Sequence, residues 1–223
     1  MPPGFDRLVE ELSRIGLDVA GRLDRLEEYH ENLYAANEVM NLTRVAPDEA
    51  WNRHYLDCLL FHDLIPEGAT VVDMGTGPGL PAWPLAWARP DLRVTAVDSN
   101  GKMLGFLRSQ PLSNLEVVQV RIEEWGVRDE FDVSTGRAVA PLAAQLELSA
   151  APVRIGGWVL PLRTPADDPT AIKLAPLGLR HRQTIERDLP GADIIRACPV
   201  FEKIAGTQKA YPRRWPDIKR KPL

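Results

Sequence analysis

Val71-Val72-Asp73-Met74-Gly75-Thr76-Gly77-Pro78-Gly79-Leu80-Pro81 is the stretch around which the rest of the chain reads. The apolar run from Ala69 to Val72 has the character of a buried strand, and it ends in an acid followed by glycines at alternate positions. Leu80 to Ala88 is apolar enough for a packed helix, and Pro81 is tolerated in a first helical turn, where an N–H has no partner anyway. Strand, glycine turn and helix in that order let a backbone approach a nucleotide-like ligand without Cβ interference. The next strand, Leu92 to Val97, ends at Asp98, 19 residues past Gly79. That is close to the ~20-residue offset at which a carboxylate meets ribose hydroxyls.

Read as G-x-G-x-x-G the motif fails, because Leu80 and Ala82 occupy the positions where a third glycine belongs. A pyrophosphate cradle is therefore disfavoured. Asp-x-Gly-x-Gly-x-Gly with an acid after the following strand suits a ligand that has a ribose and a charged amino acid but no phosphate. S-adenosylmethionine is such a ligand. Taken alone, the stretch also reads as a turn that merely joins a strand to a helix.

At 223 residues the chain is long enough for one α/β domain with a modest extension, and its 44% hydrophobic and 26% charged residues are globular values. No apolar run approaches the ~18 residues of a membrane span, and the start MPPGFDRLVEEL lacks the basic-then-apolar layout of a signal peptide. Cys58 and Cys198 are the only cysteines, with no metal-ligand spacing around them. The expectation is a cytoplasmic protein without disulfides or a metal. A net charge of −4 argues against a general basic coat and leaves room for a local basic patch.

From Phe5 to about Ala46 apolar residues recur at helical spacing, with a break at Gly16 and a turn signal at Asn41 to Thr43. A helical cap, residues 1–62, is expected over one edge of the sheet. Its last part, Asp48 to His62, reads as an amphipathic helix capped by Asp48. His54 and Asp57 lie three apart on it and share a side; by periodicity His54 reads more readily as a structural histidine than as a catalytic one. Strands at Leu115–Val120, Phe131–Thr135 and Gly157–Leu162 alternate with helices at Ser99–Arg108 and Leu142–Ala151. This predicts an α/β fold, a doubly wound, mostly parallel sheet in a core of residues 63–205. His181–Ile185 and Ile194–Phe201 read as late antiparallel strands, and residues 206–223 as a basic tail. Gly75, Asp98, Ile122 and Arg137 all fall at carboxyl ends of strands, where ligands of such sheets bind.

Together with Asn41-Leu42-Thr43, Arg53-His54-Tyr55-Leu56-Asp57, Asp98-Ser99-Asn100-Gly101-Lys102, Arg121-Ile122-Glu123-Glu124, the run Ser134 to Leu142 and Tyr211-Pro212-Arg213-Arg214, the glycine stretch forms an ordered set. In it the chain resembles the bacterial small-subunit (16S) ribosomal RNA guanine-N7 methyltransferases, the glucose-inhibited division protein B family. That resemblance implies a Rossmann-like class I methyltransferase fold and S-adenosylmethionine as cofactor. It implies contacts to the cofactor from Gly75, Gly77, Gly79, Leu80, the Ile122–Glu123 pair and Arg137. Asp98 would hold the ribose and Asp73 the methionine end, directly or through water. From the residues alone, Asp73 also reads as a carboxylate that fixes the turn, Glu123 as a first-turn helix acid and Arg137 as a surface arginine. Three departures stand out: Leu162-Arg163-Thr164 replaces a usual Lys-Gly, Ala82-Trp83 follows Pro81 where the family has Gly-Ile, and Trp215 to Lys221 replaces a Gly-Ile-Pro-Ala-Lys form. These bear on RNA contacts more than on the cofactor.

Guanine N7 keeps a lone pair at neutral pH, so its methylation needs no general base and rests on alignment. Arg137 and His54 are the residues expected to place RNA or cofactor. Arg163, Tyr211, Arg213, Arg214, Lys219 and Arg220 would contact 16S ribosomal RNA or the small subunit, with Trp215 stacking on a base. The tail also reads as an ordinary solvated terminus. A monomer is expected. Two other readings are a methyltransferase of the same fold acting on a small molecule or protein, and an inactive RNA- or ribosome-binding relative.

Overall fold

In the computed structural model, which describes residues 1–223, the apolar stretch before the glycines forms β1 (Thr70–Met74), buried from Val71 onward. β1 pairs in parallel with β2 (Arg93–Asp98) on one side and β4 (Phe131–Arg137) on the other. β3 (Leu115–Gln119) extends the sheet beyond β2, and β5 (Val153–Leu162) beyond β4, both in parallel. β7 (Ile195–Lys203) runs antiparallel to β5 and to β6 (Leu179–Asp188), giving the order β3-β2-β1-β4-β5-β7-β6. The doubly wound, mostly parallel sheet is thus the observed one. Strand order reverses between β1 and β4, so crossovers leave in opposite directions and open a crevice at the carboxyl ends.

The N-terminal helices pack into the same core as the sheet. α1 (Phe5–Arg14) buries Phe5, Leu8 and Leu12, one face at i, i+3, i+7, and α2 (Leu23–Met40) buries Leu26, Tyr29, His30 and Leu33. Gly16 at φ 88° and Asn41 at φ 51° follow the two helix ends in the left-handed conformation. Phe5, Leu26, Tyr55, Val71, Trp83 and Val94 belong to one continuous apolar cluster. At ~1.5–3 kcal/mol per fully buried apolar side chain, α1 alone contributes an amount comparable with the whole net stability of a domain. The cap is structural, not an appendage.

The expected single helix from Asp48 to His62 is broken up. Pro47–Glu49 makes a 3₁₀ turn in which Asp48 forms no capping bond, Trp51–Leu56 is π-helical, and α3 (Asp57–Leu59) is one α-turn. Asn52 and His54 to His62 are all buried, so no polar stripe exists to favour a regular amphipathic helix. Packing on all sides decides the winding, and π turns recur at functional sites. The next helix, α4 (Ala82–Ala88), starts after Pro81 rather than at Leu80, and its cap comes from elsewhere: Asp73 Oδ2 accepts the Ala82 N–H at 3.0 Å. α5 (Gly101–Arg108) is capped by Asn100, whose side chain accepts from Lys102 and Met103 N–H. β5 begins at Val153, ahead of the expected Gly157, through an irregular register against β4. After α6 (Leu142–Ala150) and the β6–β7 hairpin, the chain ends in a short helix, α7 (Trp215–Arg220), with Ile218 fully buried.

Candidate active site

The glycine turn is tied down from three sides. Gly75 and Thr76 N–H both donate to Val97 O, at 2.8 and 3.1 Å, anchoring the turn to β2. Asp98 Oδ2 accepts the Gly77 N–H at 2.9 Å, and its Oδ1 accepts the Asn100 N–H at 2.8 Å. Tyr29 reaches in from α2, donating from its hydroxyl to Pro78 O at 3.1 Å while its ring stacks on Trp83 at 4.0 Å. Gly75, Gly77 and Gly79 have φ of 71°, 57° and 110°, a region that side chains bearing a Cβ rarely occupy. A Cβ on Gly79 would lie 2.6 Å from Leu107 Cδ1, so this glycine serves the packing of α4 against α5.

A cavity of about 240 Å³ opens beside the turn, lined by Gly75, Asp98, Ile122 and Glu123 together with Val139 and Trp215. Four of the residues expected at the cofactor are thus brought together. Gly77 is partly exposed and engaged with Asp98, whereas Gly79 and Leu80 are buried behind the turn. Asp73 is buried as well. Its Oδ2 caps α4, while Oδ1 has no hydrogen-bond partner; the nearby Thr76 hydroxyl is also unpaired. Burial pushes the Asp73 carboxyl up to about 6, against the opposing pull of the Ala82 N–H.

Arg137 faces a second, larger cavity of about 490 Å³ that also holds Arg53, His54, Asp57, Arg163 and Arg196. Here the tertiary fold gathers three sequence motifs. Arg137 Nη1 donates to Arg53 O at 2.8 Å and to Asp57 Oδ2 at 2.9 Å, and its Nη2 donates to His54 Nδ1 at 3.3 Å. Arginine is donor-only, so Nδ1 must carry the lone pair and Nε2 the proton, which His54 gives to Thr43 Oγ1 at 2.7 Å. Burial, reinforced by the Arg137 charge, depresses His54 to about 3 and keeps it neutral. Asp57, only 4% exposed, is also held by Arg196, whose Nε lies 2.7 Å from Oδ1. Arg137 and Ala138 (φ 54°) line this cavity and Val139 the smaller one, so three consecutive residues at the end of β4 serve both.

Arg163 lines the larger cavity and pairs with Asp167 while donating to Ala140 O at 2.7 Å. Of the tail residues, Arg214, Lys219 and Arg220 are exposed. Arg213 is not free: it donates through N, Nε and Nη2 to Glu147, a fully buried acid on α6. Tyr211 packs on the cluster of Leu142 and Phe201, under the Arg213 guanidinium. Trp215, expected to stack on an RNA base, instead lines the small cavity. Sequence reasoning passed over Thr43, Asp57 and Arg196 as site residues and put Trp215 on the RNA rather than at the small cavity. Asp57 carried a signal in its spacing to His54; Arg196 and Trp215 carried none.

Among solved structures, the fold is similar to that of M. jannaschii TYW2 in complex with AdoMet, with a TM-score of 0.55 and 16% identity over 67% of this chain and 75% of that one. It is also similar to a SAM dependent methyltransferase from Aquifex aeolicus, at a TM-score of 0.52 and 16% identity over 76% and 97% of the two chains. These likenesses define the fold, the Rossmann-like sheet of that class. The model of the GidB family, rRNA small subunit methyltransferase G, matches residues 22–172, and the chain belongs to that family. The ribosomal RNA small subunit methyltransferase G of Lactobacillus helveticus (strain DPC 4571) is 32% identical, covering 98% of each chain. That of Clostridium perfringens (strain SM101 / Type A) is 30% identical with the same coverage.

Proposed function

We propose that this enzyme methylates N7 of a guanine in 16S ribosomal RNA, with S-adenosylmethionine in the cavity beside Gly75 and the target base in the arginine-rich cavity beside Arg137. The observation that carries this reading is the shared segment: Arg137 and Ala138 line one cavity and Val139 the other, at the end of β4 beside the switch point of the sheet. The residues present fit the cofactor. The orphaned, buried Asp73 Oδ1 suits an ammonium group, directly or through water, and the Asp98 carboxylate keeps lone pairs for ribose hydroxyls beyond its two N–H bonds. Ile122 and Glu123 would flank the base of the cofactor.

When bound, S-adenosylmethionine supplies a methyl on a sulfonium, which the lone pair of guanine N7 accepts without losing a proton. The chain's own residues then need only hold and align. Both nitrogens of neutral His54 are engaged, so it takes no proton; its part is to fix the Arg137 guanidinium together with Asp57. Such alignment supplies roughly 7–11 kcal/mol in well-oriented systems. The larger cavity carries four arginines against two aspartates, a local basic patch on a chain of net charge −4. With the exposed Arg214, Lys219 and Arg220, it supports binding to phosphate-rich RNA. Cytoplasmic location, a monomeric state and independence of metals complete this reading.

The test is methyl transfer from tritiated S-adenosylmethionine to small ribosomal subunits that lack the modification, followed by mapping of the labelled base. Label at a guanine N7 is expected. Label at another position, or on protein alone, would refute the proposal.

A further inference from the structure

Trp215 belongs to the tail, 117 residues past Asp98 in sequence, yet both line the same cavity. It is the one aromatic among the eight lining residues. Its place is built. Arg213, two residues earlier, is fastened by three hydrogen bonds to the fully buried Glu147. Ile218, three residues later, is fully buried against Ala144 and Leu148, and Trp215 packs onto this cluster beside Ile122 and Val139. Ile122 after β3, Val139 after β4 and Trp215 from the tail thus pack on one cluster and line one cavity.

We infer that Trp215 is a cofactor-binding residue whose indole covers the adenosyl part of S-adenosylmethionine. This rests on the reading of the cavity beside Gly75 as the cofactor site. Along the sheet that cavity runs from Gly75 after β1, past Asp98 at the end of β2, to Ile122 and Glu123 after β3. A ribose held at Asp98, with the amino-acid end toward Gly75, directs the adenine toward Ile122, which packs on the same cluster as Trp215 and lines the same cavity. The rest of the lining is two small aliphatic side chains, charged or hydroxyl groups and a glycine, so the indole supplies most of the apolar area that a purine can cover. The C-terminal segment is then a wall of the cofactor pocket, and docking of the tail and binding of the cofactor are coupled.

The experiment is calorimetric titration of the full-length protein with S-adenosylmethionine, S-adenosylhomocysteine and 5′-methylthioadenosine. Trp215→Leu keeps enough apolar volume to pack on the cluster of Ala144, Leu148 and Ile218 but removes the aromatic face; Trp215→Phe keeps that face. W215L is expected to weaken all three ligands by a similar factor, roughly 5- to 150-fold, the range for losing one base-stacking side chain. W215F should stay within about threefold of the parent. Unchanged affinity in W215L overturns the inference, and so does a loss confined to S-adenosylmethionine, which would mark a contact to the sulfonium instead. Asp98→Asn separates the two levels. If D98N weakens binding and W215L does not, the inference about Trp215 alone fails; if D98N leaves binding intact, the assignment of this cavity to the cofactor fails with it.

Discussion

Arg137 Nη1 lies 2.9 Å from Asp57 Oδ2, an ion pair that joins the end of β4 to the junction of the π-helical segment with α3. The same guanidinium also donates to Arg53 O and His54, so one side chain sets the relative position of two elements around the larger cavity. Arg137→Lys keeps the charge but lacks the planar fork that makes these bonds together. Loss of alignment is expected to lower kcat by about 100-fold. The thermal midpoint should change little, because Arg196 still pairs with Asp57. Single-turnover rates beside a melting curve check both.

Cofactor affinity should depend on Asp73. Its buried carboxyl stands at about 6 without ligand, and an ammonium group binds the ionised form. Affinity for S-adenosylhomocysteine is expected to rise about tenfold between pH 5 and 7.5, following ionisation of that one group. Stability of the free protein moves the other way: a carboxyl raised on folding contributes fully below its usual pKa and loses that contribution as pH climbs through about 6. Asp73→Asn should flatten the binding profile. A D73N profile as steep as the parent's would assign the dependence elsewhere.

His54 has the opposite signature. Its pKa falls from 6.5 to about 3 on folding, so its contribution is complete above 6.5 and drains away as pH drops toward 3. By pH 5 the loss from this residue is about 2 kcal/mol. His54→Asn keeps an acceptor for Arg137 without the titration. Urea denaturation at pH 7.5 and 5 should show a smaller acid loss in H54N. Some loss will remain, because burial also lowers the pKa of His30 and His62.

Removing Arg213 leaves Glu147 as a fully buried carboxylate with no cation. Arg213→Ala should destabilise the protein by about 3 kcal/mol, and Glu147→Gln in the same background should restore part of it. A double-mutant cycle by chemical denaturation measures the coupling.

Lys219 and Arg220 are exposed on α7. If both meet phosphate, the K219A/R220A variant binds the small subunit more weakly, and its log–log salt slope shrinks by about 1.4. Filter binding from low to moderate salt gives the slope, and an unchanged melting temperature excludes a folding defect.

The pattern of residues determined the sheet, the glycine turn, the paired acids at strand ends and the helical cap. Each is written in local form: runs of apolar residues, a 3.6-residue period, or glycines at positions needing positive φ. The place of Asp98 at the end of β2 was legible for the same reason, but its bond to the Gly77 N–H was not. Tertiary structure decided the rest. Packing on every side gave the segment Trp51–Leu56 its π winding, where a local reading predicted an ordinary helix. Arg196 meets Asp57 from 139 residues away, and Arg213 meets Glu147 from 66, so no period or spacing announces either pair. A buried charge must find a partner wherever the chain brings one, and that partner is chosen by the folded path. The cofactor cavity shows the division: Gly75 and Asp98 were in the motif, but its aromatic wall comes from a tail that only the docking of Arg213 and Ile218 holds against it.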